Sequence, residues 1–283
     1  MVDIKNVIEF KNVTKDYGDF KLDRVSFVVP EGSVCGFIGQ KVGADTASLR
    51  EDIGVVYDEM GFHEFMTGKD INIMMKNIFK NWDEQAFFQY LKDFSLPAKK
   101  KCGDFSRGMR MKLQIAVALS HNAKLLVMDE PTSGLDPIAR SEMLQIFREF
   151  VLQEDHTILI SSHITTDLEK IADSVVFING GKIILSGEKD AILEKHGILK
   201  CKKDEADEIS SSLLVHMEQG SYGVEALVND KKACTKLYPG MVVEPASLEE
   251  IMIHYVSANA GGGTDMSEAN IVQRFRAGRD EMR

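Results

Sequence analysis

Short apolar runs alternate with turn residues at the start of the chain. Val7-Ile8-Glu9-Phe10 and the stretches 22–29 and 33–38 have the length and β-branched content of strands, with Pro30-Glu31-Gly32 as a turn. Ile53-Gly54-Val55-Val56-Tyr57 reads as a further strand, and 71–79 and 84–94 as helices that end at Pro97 and the run Lys99-Lys100-Lys101. The stretch 107–120 is apolar on most faces (Met111, Leu113, Ile115, Val117, Leu119), which predicts a buried helix with Ser106 as its N-cap. A buried strand follows over 124–128. Met143, Leu144, Ile146, Phe147, Phe150 and Val151 then recur at helical spacing over 138–154, and a strand follows over 157–161. Residues 175–178 and 183–185 flank Gly180-Gly181 as a hairpin, and 188–196 reads as a helix. Strands alternating with helices predict an α/β domain, and two of the strands deliver chemistry at their carboxyl ends.

A composition shift near residue 200 marks a boundary. Residues 1–200 are expected to form the main domain, with a helical subdomain over 60–123. The charged stretch 202–208 reads as a linker into an accessory region over 201–258, with strands at 213–216 and 224–228 and a helix at 247–256. Residues 259–283, with Gly261-Gly262-Gly263, read as a flexible tail.

Composition narrows the function. A net charge of −10 argues against a nucleic-acid partner, which needs a basic footprint. The four cysteines, Cys35, Cys102, Cys201 and Cys234, have no C-x-x-C spacing and are expected to be reduced thiols. No apolar run approaches the ~20 residues that span a bilayer, so any membrane role is expected to come through a partner and not by direct insertion.

Four motifs follow in order: Asp104-Phe105-Ser106-Arg107-Gly108-Met109, then Leu125 onward into Asp129-Glu130-Pro131, then Ser133-Gly134-Leu135-Asp136, then Ser161-Ser162-His163. A Ser-x-Gly turn at a helix start offers free N–H groups to a phosphate. Together the motifs resemble the signature, Walker B, D-loop and switch histidine of ATP-binding cassette (ABC) transporter ATPases. Arg107 stands at a family glycine and Met109 at the family glutamine. The resemblance implies a P-loop NTPase-like cassette with an N-terminal antiparallel β subdomain, a central parallel sheet, the helical subdomain and a small C-terminal extension. It implies ATP and Mg²⁺ as cofactors, with Asp129 holding the metal, Glu130 polarising the attacking water and His163 touching the γ-phosphate. Tyr17 is implied to stack on adenine, and Ser106, Arg107, Gly108, Met109 and Asp136 to meet nucleotide. Asp58 stands where the family usually has glutamine, a carboxylate suited to the neighbourhood of Mg²⁺. The implied partners are integral-membrane permease subunits and a second ATP-binding subunit, on the cytoplasmic face of the plasma membrane.

The departure lies upstream. A P-loop reads G-x-x-x-x-G-K-[ST] after a strand. Gly39 and Gln40 begin that register, but Ala44, Asp45 and Thr46 occupy the last three places, so a negative charge replaces the lysine. Only residues 47–52 then precede the next strand. Either the loop has decayed in register, or a segment has been lost between Gln40 and Lys41; loss is preferred, because Lys41-Val42-Gly43-Ala44-Asp45 resembles the strand and turn that normally follow the P-loop helix. Intrinsic ATP hydrolysis is therefore expected to be weak or absent. The alternatives are a non-hydrolytic assembly or regulatory subunit, and a truncated chain that folds poorly.

Overall fold

The computed structural model describes residues 5–18, 20–38, 51–153, 155–219 and 223–260. The chain divides into two compact units, residues 1–189 and 190–283.

In the first unit, β1 (Asn6–Asp16) and β2 (Lys21–Pro30) form an antiparallel pair, with Phe10 stacked on Phe27 at 4.3 Å between ring centres. The central sheet has the order β4-β5-β6-β3-β7-β8. It comprises β3 (Val34–Ile38), β4 (Ile53–Val56), β5 (Leu125–Asp129), β6 (Thr157–Ser161), β7 (Ser174–Asn179) and β8 (Lys182–Glu188). β4, β5, β6, β3 and β7 run parallel, and β8 closes the edge antiparallel to β7 as the glycine hairpin predicts. Parallel strands covered on both faces read as continuous apolar runs, and β3 is buried at every position. The α/β architecture with an antiparallel N-terminal subdomain is thus present.

The helical subdomain holds α1 (Gly68–Ile78), α2 (Glu84–Asp93) and α3 (Arg107–Leu119). Thr67 and Asp70 form a capping box on α1, and Asp83 caps α2. Ile71, Phe87, Leu91, Leu113 and Ala116 make their shared core. Gly54 lets α3 press onto the sheet: a Cβ there would lie 2.7 Å from Leu126 Cδ2 and 2.8 Å from Ala118 Cβ. Beyond β5 come α4 (Pro137–Val151) and, after β6, the short α5 (Thr165–Ile171).

The joining helix α6 (Lys189–Lys195) leads into the second unit, whose antiparallel sheet has the order β10-β11-β9-β12. Its strands are β9 (Gly197–Cys201), β10 (Leu214–Gln219), β11 (Val224–Val228) and β12 (Val242–Pro245), with helices α7 (Lys203–Ala206), α8 (Lys231–Leu237) and α9 (Leu248–Ala260). The division falls before β9, whereas the composition shift points to residue 200, because β9 pairs on both edges with β11 and β12. The charged stretch 202–208 contains α7 with Ala206 buried, a helical turn where a linker was expected. Most of the tail expected over 259–283, from residue 261 on, lies outside the described residues.

Candidate functional site

Two chain segments meet at the carboxyl ends of the central strands. β5 delivers Asp129 and Glu130, and β6 delivers Ser161 and, two residues on, His163. The backbone N–H of Glu130 donates to the Ser161 carbonyl (3.2 Å) and to Ser161 Oγ (3.1 Å), while Ser161 Oγ donates to Asp129 Oδ1 (2.7 Å). The His163 backbone N–H donates to Glu130 Oε2 (3.2 Å), and His163 Nε2 lies 3.4 Å from Glu130 Oε1. Asp129, Glu130 and His163 are therefore one cluster, cross-linked through Ser161.

Glu130 has φ +49°, a left-handed conformation that costs a non-glycine residue about 1–2 kcal/mol. It is only 6% exposed. Burial pushes its carboxyl above the ordinary range, the neighbouring His163 pulls it down, and Asp129 and Asp58 add repulsion that raises it. A carboxylate held taut, dry and within reach of an imidazole is suited to orienting a water and taking its proton.

The signature turn packs on the segment that follows Glu130. Ser106 Oγ accepts from the Met109 N–H (3.3 Å), which makes it the predicted N-cap of α3. Arg110 donates to the carbonyls of Phe105 (3.1 Å) and Gly103 (3.0 Å) and so shapes the approach to the turn. The Arg107 Nη2 donates to Asp58 Oδ1 in an ion pair. Gly108 faces Leu135 and Ala139, so the turn packs on the D-loop segment of its own chain. Asp136 caps α4, accepting from the N–H groups of Ile138 and Ala139 at 3.0 Å each, with Pro137 at the first helical position.

The remaining expected site residues are Tyr17, Gly39, Gln40 and Asp58. Tyr17 is in the β1–β2 turn, its ring stacked near Phe20 (6.2 Å) with Lys15 Nζ 5.0 Å from its centre. Gly39 and Gln40 lie outside the described residues. The carboxylate of Asp58, expected near Mg²⁺, is engaged by Arg107.

Asp129 supplies hard oxygen donors of the type Mg²⁺ prefers. Among the described residues no group of three or more His, Cys, Asp or Glu is arranged to hold a metal. The donor set fits an ion that keeps most of its water and relies on one carboxylate plus nucleotide phosphates, which is the ordinary habit of Mg²⁺.

Sequence reasoning missed Gln114. It is buried midway along α3, with its amide paired both ways to the Tyr57 backbone: Tyr57 N–H donates to Oε1 (3.2 Å) and Nε2 donates to the Tyr57 carbonyl (3.0 Å). It fixes the segment that carries Asp58. The available signal was a single amide in an otherwise apolar helix stripe.

A family model described as ABC transporter matches residues 25–133. The lantibiotic transport ATP-binding protein SrtF of Streptococcus pyogenes is 31% identical over 211 residues, covering 65% of this chain and 92% of SrtF. The bacitracin transport ATP-binding protein BcrA of Bacillus licheniformis is 29% identical over 212 residues, covering 64% of this chain and 69% of BcrA. Among solved structures, a dimeric post-hydrolysis ATP-binding cassette bound to ADP and Pi superposes with a TM-score of 0.54 at 18% identity, covering 64% of this chain and 97% of that one, which speaks to the fold. The chain belongs to the family of ABC transporter ATP-binding proteins. Among the described residues no helix is long and apolar enough to cross a membrane.

Proposed function

We propose that this chain couples nucleotide to transport through separate integral-membrane permease subunits on the cytoplasmic face of the membrane, and that its own triphosphate site is impaired. The observation that carries the impairment is the run Gly39 to Thr46, which on either reading, decay in register or loss after Gln40, leaves no P-loop lysine. A P-loop lysine reaches the β/γ-phosphates, and a carboxylate there repels them. ATP, when bound with Mg²⁺, supplies the free energy of phosphoryl transfer; the protein's part is positioning and charge neutralisation.

The remaining machinery supports a role across a dimer. Asp129 would hold Mg²⁺, which would neutralise phosphate charge, while Glu130 would orient the attacking water and His163 would contact the γ-phosphate. The N-terminus of α3 at Ser106 and Gly108 completes the site of a facing subunit. With a competent, non-identical partner the complex hydrolyses ATP at one site; as a homodimer both sites lack the lysine. An apolar groove of about 220 Å³, lined by Val55, Tyr57, Phe62, Met75, Phe79 and Val117, is the surface we assign to the permease contact.

Magnesium-dependent ATP turnover by the purified chain tests the impairment. We expect turnover indistinguishable from a Glu130→Gln control. Robust turnover that Glu130→Gln abolishes would overturn it.

A further inference from the structure

We propose that Arg107 is a phosphate-binding residue that Asp58 holds in its own chain, and that a triphosphate presented by a facing subunit displaces Asp58 from it. The inference rests on the reading above that the signature turn serves a facing subunit's nucleotide.

The pair joins parts of the chain 49 positions apart: the segment after β4 and the first residue of α3. Asp58 is mostly buried, at 16% side-chain exposure, whereas Arg107 keeps 38% open. A half-open guanidinium paired with a shielded carboxylate is the arrangement in which the cation can turn outward while the anion stays. Arg107 also passes close to Gly134 of the D-loop. Gly134 has φ +64°, and a Cβ there would come within 3.1–3.2 Å of Arg107 Nε, Cδ and Cζ. Its Nε is buried and has no hydrogen-bond partner, so this donor is unspent in the Asp58-bound state. The guanidinium has five N–H donors in a fork that matches phosphate as well as carboxylate.

The neighbouring groups define what exchange does. Ser106 Oγ and the free N–H groups of the α3 N-terminus adjoin Arg107, so a phosphate reaching this turn meets the helix end and the cation together. A triphosphate with its several charges outcompetes a single carboxylate for a guanidinium that both can reach.

Two measurements on the full chain test this. In nucleotide-free thermal melts, a double-mutant cycle of Asp58→Ala and Arg107→Ala reads the pairing; we expect the two changes to be non-additive, and additive effects would overturn the hold. Sedimentation velocity with Mg-ATP, for the chain alone and mixed with an ATP-competent cassette subunit, reads the exchange. Asp58→Asn is expected to tighten nucleotide-dependent association about tenfold. Arg107→Ala should weaken it, the double variant should follow Arg107→Ala, and Arg107→Lys should recover part of the loss. If association occurs but Asp58→Asn leaves it unchanged or weaker, the exchange is wrong and the signature role stands. If no variant, wild type included, associates in response to Mg-ATP, the signature role fails and the exchange with it.

Discussion

Glu130 concentrates the residue-scale physics of this chain. Its left-handed backbone, its burial and its bond from the His163 N–H all follow from ending β5 against β6 with Ser161 as the cross-link. Such strain is kept where surrounding structure over-determines it, and it clusters at working sites. The raised carboxyl pKa has a consequence for stability. The folded chain holds this proton more tightly than the unfolded chain does, so the group's contribution is fully present below the ordinary carboxylate value and is lost as pH rises through the folded value. At neutral pH the ionised, dehydrated group is a liability. Glu130→Gln should therefore raise the melting temperature at pH 7 by a few degrees, and the advantage should vanish as pH falls below 4; melts across that range check it. A variant that melts lower than wild type at pH 7 would contradict the assignment of burial as the dominant influence.

At the scale of elements, α3 fastens the helical subdomain to the sheet, and its buried amide does this by pairing with the Tyr57 backbone. Gln114→Leu fills the space but leaves a half-buried N–H and carbonyl unpaired, which costs about 1–3 kcal/mol. Chemical denaturation should show that loss, and Gln114→Glu should recover part of it through the bond from the Tyr57 N–H. In the second unit, α9 packs its His254 against β10, where the Nδ1 atoms of His254 and His216 share one hydrogen bond of 3.1 Å. Burial lowers the His254 pKa and His216 lowers it further, against Glu218, Glu225 and Glu250, which raise it. The unfolded chain takes the proton first, so stability is lost as pH falls through the ordinary histidine range near ~6.5. Amide exchange in α9, corrected for its intrinsic pH dependence, should be faster at pH 5.5 than at 7.5, and His254→Asn should flatten the difference. The sequence carried α1, α2, α3, α4 and the β7–β8 hairpin, because their caps, glycines and apolar stripes are local. It did not carry β9, β12, α5 or α8: these elements are four to seven residues long, and partners distant in sequence hold them. β1 runs on through polar residues to Asp16 for the same reason, since its register comes from β2.

For the whole molecule, the legible and illegible parts of the site divide by what chemistry writes into a short stretch. The cluster of Asp129, Glu130 and His163 was legible, because two strand ends and a motif each announced their residues. The hold of Asp58 on Arg107 was not, since neither residue is unusual alone and the contact exists only once β4 and α3 are side by side. The family fold is present with its signature helix capped and Glu130 bonded by the His163 N–H, while the run Gly39 to Thr46 offers no lysine in register for a phosphate. The account therefore rests on whether this polypeptide, alone, retains a triphosphate. Calorimetric titration of the purified chain with Mg-ATP measures that directly. The predicted result is no saturable binding tighter than about 1 mM, a free energy of no more than ~4 kcal/mol; saturable micromolar binding at one site per chain would contradict it.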